Sequence, residues 1–157
     1  MRNTPIILIL GALILSSCLR EPENVFDPAE QFQKELDLID EYLDENDIVA
    51  ETDSGGYLIR YVLHEPGTGE IPVDSDSIIV AYSGRVLGGT TNFDESEGRK
   101  FKLSNLIPAW RIMIPYLMEE GSLTLYTPSY YGYGTQGSSS IPPNSTLVFD
   151  ITLLEVR

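Results

Sequence analysis

Cysteine, histidine and positive charge are what this chain has least of. One cysteine in 157 residues builds neither a disulfide framework nor a multi-thiolate metal site. One histidine, His64, leaves no material for the usual His-based triads and zinc centres. Ten Lys+Arg against 24 Asp+Glu set the net charge at −14. That balance excludes nucleic acid as a partner, because neutralising phosphates takes clustered cations, and it excludes electrostatic docking on anionic lipid. The longest apolar run, Ile6 to Leu15, falls short of the ~20 residues that a permanent membrane-spanning helix needs. Apolar residues nevertheless reach 42%, enough for a chain of this length to bury one core.

The apolar run follows Arg2 and ends in small residues, the pattern of an export signal over residues 1–17. Leu15-Ser16-Ser17-Cys18 resembles the lipobox of bacterial lipoproteins. That resemblance implies cleavage before Cys18, acylation of its sulfur and new amine, and a mature protein tied to a membrane face in the cell envelope, most simply the outer membrane facing the periplasm. Residues 18–27 then form a short lipidated tether.

Asp27-Pro28-Ala29-Glu30 is a helix start: a capping acid, proline at the first helical position, and an acid where a capping box places one. Phe32, Leu36, Ile39 and Leu43 follow as an amphipathic stripe, predicting a helix from Pro28 to about Glu45. Its other faces carry Glu35, Asp37, Asp40, Glu41, Asp44 and Glu45, which lack the spacing of a calcium loop and read as a solvated face. Two occupants are open for the stripe: the C-terminal part of the same chain, or a second copy in a homodimer. Residues 18–54 hold 13 acids and 2 bases while residues 55–157 hold 11 and 7, so the acidity belongs mainly to this helix, its tether and its linker. As a spacer repelled by anionic headgroups, the 28–54 segment would hold residues 55–157 off the membrane.

From Gly55-Gly56 onward the period changes. Tyr57–Leu63, Ser77–Tyr82, Leu123–Tyr126 and Thr146–Val156 are short segments rich in β-branched and aromatic residues, bounded by turn chemistry such as Leu87-Gly88-Gly89. One helical candidate, Ala109 to Glu119, is interrupted by Pro115 and should be short or kinked. Five or six strands around one short helix make an α+β domain over 55–157. His64 ends a strand with no acid or nucleophile in register. Aromatics are in excess here, and Asp94 stands directly after Phe93 in a strand-like context. Read residue by residue, that is an aromatic cleft with one acid, suited to a proline ring, a sugar or an aromatic ligand.

The order of motifs resembles the FKBP-type peptidyl-prolyl isomerases: Val80-Ala81-Tyr82-Ser83-Gly84, Phe93-Asp94-Glu95-Ser96, Phe101-Lys102-Leu103, Leu106-Ile107-Pro108-Ala109-Trp110, Tyr133-Gly134, and Ile141 through Asp150. With the lipobox and acidic helix, the chain is similar to the lipoprotein members of Gram-negative bacteria, some linked to gliding motility. The resemblance implies an antiparallel sheet curled around one short helix, and rotation of X–Pro bonds in proline-containing polypeptides, with no cofactor and no metal. Trp110 would form the pocket floor, and Tyr82, Phe93, Phe149 and Tyr133 its walls. Phe101, Leu106, Ile107, Ile141 and Leu147 would complete the apolar lining. The Ile107 N–H and the Tyr133 hydroxyl would bond substrate carbonyls, and Asp94 would sit at the edge, oriented by Tyr82 and Arg99. FK506-like macrolides are the implied inhibitors. Ala109 departs from the usual glycine, Glu120 takes the place of the glycine after the helix, and the stretch from Asp94 to Phe101 reads as a short loop, which weakens the Arg99 pairing. A peptide-binding or chaperone module that keeps the pocket without turnover, and a sugar-binding lipoprotein, are the alternative functions.

Replacing Cys18 with Ala should leave the precursor uncleaved and the chain released from membranes; fractionation with mass analysis of the N-terminus checks both.

Overall fold

The computed structural model describes residues 26–157; the export signal, Cys18 and most of the tether lie outside them. Helix α1 spans Pro28–Glu45, as the periodicity predicts. The Asp27 carboxylate caps it, accepting from the Ala29 N–H at 2.8 Å and the Glu30 N–H at 3.4 Å. Six strands come after it: β1 Glu51–Thr52, β2 Arg60–Glu65, β3 Ser77–Val86, β4 Asn92–Lys102, β5 Ser122–Thr127 and β6 Leu147–Val156. They form one antiparallel sheet in the order β1-β2-β5-β6-β3-β4. Helix α2, Pro108–Met113, passes into a 3₁₀ turn at Ile114–Tyr116, where Pro115 has no N–H to continue an α-helical ladder. The architecture is α+β. Among the described residues no helix is long and apolar enough to cross a membrane.

Alternation along the central strands sorts the sheet into two faces. In β6, Leu147, Phe149, Ile151 and Leu153 turn toward α2, joining Val80, Leu123, Leu125, Trp110 and Met113 in one buried core. Val148, between two of them, turns the other way with Tyr126 of β5, and this second face is covered by Ile39 and Leu43 of α1. The helix stripe is therefore seated on its own sheet. Each fully buried aliphatic side chain there contributes about 1.5–3 kcal/mol over an exposed one. Segment 28–54 also supplies β1, so the stretch expected as a linker extends the sheet.

Three expectations change. Glu35, read as part of the solvated face, is 1% exposed; its partners lie almost a hundred residues away in sequence, where helical periodicity has no reach. Tyr57 to Ile59 is not strand, because the buried Asp53 carboxylate takes the Tyr57 N–H at 3.0 Å and the Ile59 N–H at 2.7 Å and closes a turn, with Leu58 at φ 60°. The stretch from Asp94 to Phe101 is no loop but the body of β4, an edge strand blunted by its charged residues.

Glu120 holds φ 67° while its N–H bonds the Leu153 carbonyl at 2.7 Å. A left-handed conformation costs a non-glycine residue about 1–2 kcal/mol, against about 0.5–1 kcal/mol of extra backbone entropy lost by glycine. Glu120→Gly should therefore stabilise the fold by about 0.5–1 kcal/mol in urea titration. Ile39→Ala should cost about 2–5 kcal/mol as α1 loses its seat, whereas Leu38→Ala, at a 42% exposed neighbour, should stay within about 0.5 kcal/mol.

Candidate active site

The site lies where β3, β4 and β6 curve over α2. Pro108 at the first helical position fixes the start of α2 and places Trp110, 4% exposed, beneath the sheet. Around the indole stand Tyr82 from β3 at 5.1 Å, Phe149 from β6 at 5.5 Å and Phe101 from β4 at 6.0 Å between ring centroids, all edge-on. Phe93 meets Phe149 at 5.7 Å and Tyr133 at 6.4 Å, both edge-to-face. Such contacts add about 0.5–1.5 kcal/mol per pair beyond burial and hold each ring against its neighbours. Leu106, Ile107, Ile141 and Leu147 belong to the same cluster. All ten apolar residues expected in the pocket belong to the one hydrophobic cluster that also forms the core of the domain.

Asp94 joins them at the rim. It accepts the Tyr82 hydroxyl proton at 2.6 Å, and Arg99 Nη1 donates to the Tyr82 oxygen at 2.7 Å and to Asp94 Oδ2 at 3.1 Å. The Arg99 guanidinium also lies over the Tyr82 and Phe101 rings, at 5.6 and 6.0 Å. Burial first, and then the bond to Asp94, hold the Tyr82 phenol far above its ordinary range; burial, followed by the Asp94 charge, raises Tyr133 as well. Both tyrosines are neutral donors at physiological pH.

The local geometry of β4 makes this rim. On a regular strand neighbours point to opposite faces, and so do residues five apart. Pairing shifts by one residue between Gly84↔Asp94 and Arg85↔Asn92, and again between Val80↔Arg99 and Tyr82↔Ser96. The first bulge lets Phe93 and Asp94 serve the same side. The second brings Arg99 round to Asp94, the pairing the sequence left least secure.

Gly84, which the sequence reading gave no role, has a steric one. A Cβ there would lie 2.7 Å from the Phe149 ring and 2.8 Å from the Phe93 ring, so its bare backbone is what admits both walls. A broad groove of about 870 Å³, lined by Tyr57, Asp74, Pro108, Arg111, Ile112, Tyr130 and Tyr131, opens beside Pro108, the residue after Ile107. His64 stands apart, its Nε2 bonded to Thr124 Oγ1 at 2.8 Å. Among the described residues no group of three His, Cys, Asp or Glu is gathered for a metal. Chemically, the site offers a cluster of packed aromatic rings, a Tyr82 hydroxyl and an Arg99 guanidinium bonded to one acid, and the Tyr133 phenol beside them.

The chain is similar to known proteins in sequence and in fold. Residues 69–154 match the model of the family described as FKBP-type peptidyl-prolyl cis-trans isomerase. The FkpA isomerase of Escherichia coli K12 is 39% identical over 112 residues, 69% of this chain and 40% of that protein. A probable FkpA of Neisseria meningitidis is 38% identical over 123 residues, 73% of this chain and 44% of its own. This chain thus spans less than half the length of these relatives. The crystal structure of E. coli FkpA superposes with a TM-score of 0.66 at 33% identity, covering 82% of this chain and 63% of that one. A peptidyl-prolyl isomerase from Pseudomonas syringae superposes at 0.69 with 26% identity, covering 83% and 96%. Since the matched stretch carries the aromatic well, its rim and the strands that curve over it, the chain belongs to the FKBP-type peptidyl-prolyl cis-trans isomerase family.

Proposed function

We propose that this chain is a peptidyl-prolyl cis-trans isomerase acting on exported or envelope polypeptides, tethered to a membrane in the cell envelope through lipidated Cys18. The observation that carries the reading is the closed set of rings around Trp110, with two neutral tyrosine hydroxyls at its edge.

The obstacle to X–Pro rotation is the partial double bond of the amide, a barrier of ~18–20 kcal/mol that relaxes in tens to hundreds of seconds. At the transition state the amide is twisted, has lost resonance and is less polar than when planar. A dry aromatic pocket favours that form over the planar one, and only a difference between the two raises the rate. Trp110 forms the floor under the proline ring; Tyr82, Phe93, Phe149 and Tyr133 exclude water around it. The Ile107 N–H and the Tyr133 hydroxyl donate to substrate carbonyls, in positions set before substrate arrives. Asp94, fixed by Tyr82 and Arg99, faces the rotating bond at the rim, and the groove beside Pro108 takes the flanking polypeptide. Rotation makes and breaks no covalent bond, so neither nucleophile nor metal is required. Preferential binding of about 6–8 kcal/mol would accelerate it roughly 10⁴- to 10⁶-fold. FK506-like macrolides would compete for the same well. Seating of the α1 stripe on its own sheet supports a monomer over a helix-paired homodimer.

The deciding test is prolyl-peptide isomerisation by the full chain, with FK506 as competitor. Acceleration that FK506 abolishes is expected; no acceleration sinks the proposal and leaves a binding module. Phe149→Ala and Asp94→Val should each lower kcat/KM by about 10- to 100-fold with cooperative unfolding retained. Gly84→Ala should lower it by about tenfold by pushing the Phe93 and Phe149 rings inward, and unchanged activity there would show that the walls do not shape the pocket.

A further inference from the structure

Glu35 is a buried carboxylate that the isomerase chemistry does not use. It sits on α1, on the far side of the sheet from α2, at 1% exposure. An ion so placed is costly unless its oxygens are bonded, and here they are. Ser129 donates both its backbone N–H and, at 2.8 Å, its hydroxyl, while Gln31 Nε2 donates at 2.6 Å. Charge-assisted bonds of this kind are the strong ones. Nearby Phe32 meets Tyr130 and Tyr131 edge-on at 6.0 and 5.9 Å.

Ser129 begins the turn that carries Tyr133. Its carbonyl accepts the Gly132 N–H and the Gly134 N–H, both at 2.8 Å. The residue between those two amides is Tyr133, whose ring packs on Phe93 within the well. The path from α1 to the pocket is therefore short: a fixed carboxylate, one serine, two amides and the tyrosine they flank. We propose that Glu35 is a positioning residue for isomerisation, holding Ser129 so that the 129–134 turn presents Tyr133 to substrate; the role rests on the isomerase reading of that pocket. Glutamine can keep the grip, since its oxygen can accept from the Ser129 N–H while its amide group donates to the Ser129 hydroxyl oxygen and to the Gln31 amide oxygen once that side chain turns over. Alanine cannot.

The test compares Glu35→Ala and Glu35→Gln in the full chain and again in a Tyr133→Ala background. Glu35→Ala should lower kcat/KM by about 5- to 30-fold, and Glu35→Gln should restore it to within about twofold of the parent. With Tyr133 already replaced, Glu35→Ala should change it by less than about twofold, because partners acting through one group are not additive. Amide exchange at Gly132 and Gly134 should speed up at least about tenfold in Glu35→Ala while the central strands keep their protection. Equal losses in both backgrounds, or unchanged exchange at the two glycines, overturn the role. No turnover in the unmodified chain overturns the isomerase reading and the positioning role with it; turnover that Glu35→Ala leaves unchanged overturns the positioning role alone. Should Glu35→Ala fail to fold, Ser129→Ala removes only the hydroxyl bond: a loss of about threefold is expected, and none refutes the proposal.

Discussion

A β-strand turns successive side chains to opposite faces, yet two consecutive residues, Phe93 and Asp94, both meet the cluster around Trp110, one through Phe149 and the other through Tyr82. The two bulges in β4 resolve that conflict, and most of the site depends on them. One places a ring and an acid side by side. The other carries Arg99 back to the same rim, so that Tyr82, Asp94 and Arg99 form a closed set of hydrogen bonds. Without the bulges β4 would be an ordinary charged edge strand, Phe93 would have Asp94 behind it, and the well would lack its polar lip. An edge strand can carry such irregularity because only its inner side is committed to a ladder.

The scarcity of histidine and cysteine gains a positive meaning beside this geometry. A reaction that only rotates a bond is served by shape, dryness and fixed dipoles. Of these, the chain has rings packed edge-to-face around Trp110 and the fixed hydrogen bonds among Tyr82, Asp94 and Arg99. Such a site gains nothing from a group poised to titrate near neutrality. The tyrosines do polar work at the edge while their rings serve the wall, which is why aromatics rather than charged residues are in excess here.

Much of this was legible in the sequence, and the remainder failed for physical reasons. The ends of α1 follow from Asp27 and Pro28 and from the spacing of Phe32, Leu36, Ile39 and Leu43; β6 follows from an unbroken β-rich run; the break after Met113 follows from Pro115. These are local signals, and the local structure obeys them. Which aromatics to expect in a pocket came only from the resemblance, because nothing in spacing alone tells a pocket aromatic from a core one. Bulges leave no mark in composition, so Asp94 to Phe101 read as a loop. Glu35 looked like its solvated neighbours because a helix wheel knows nothing of Ser129. Gly84 carried the faintest signal, a glycine inside a strand, which by itself announces a bulge as readily as a close approach.

The position of α1 decides where much of the chain's charge stands relative to the site. Most of the helix's acids are exposed, and they cover the face of the sheet opposite the one that curves over α2. The carboxylate of Asp40 is held by Arg60 at 2.8 and 2.9 Å, and that of Glu35 is taken up inside. Screening confines the field of the exposed acids to about 8–10 Å at physiological salt, and the thickness of the sheet and its core stands between them and the well. A chain of −14 charge therefore keeps the acids of α1 on the side of the sheet away from the rings around Trp110. What links the helix to that cluster is contact rather than field: Glu35 accepts from the Ser129 N–H and hydroxyl, and the Ser129 carbonyl accepts from the two amides that flank Tyr133.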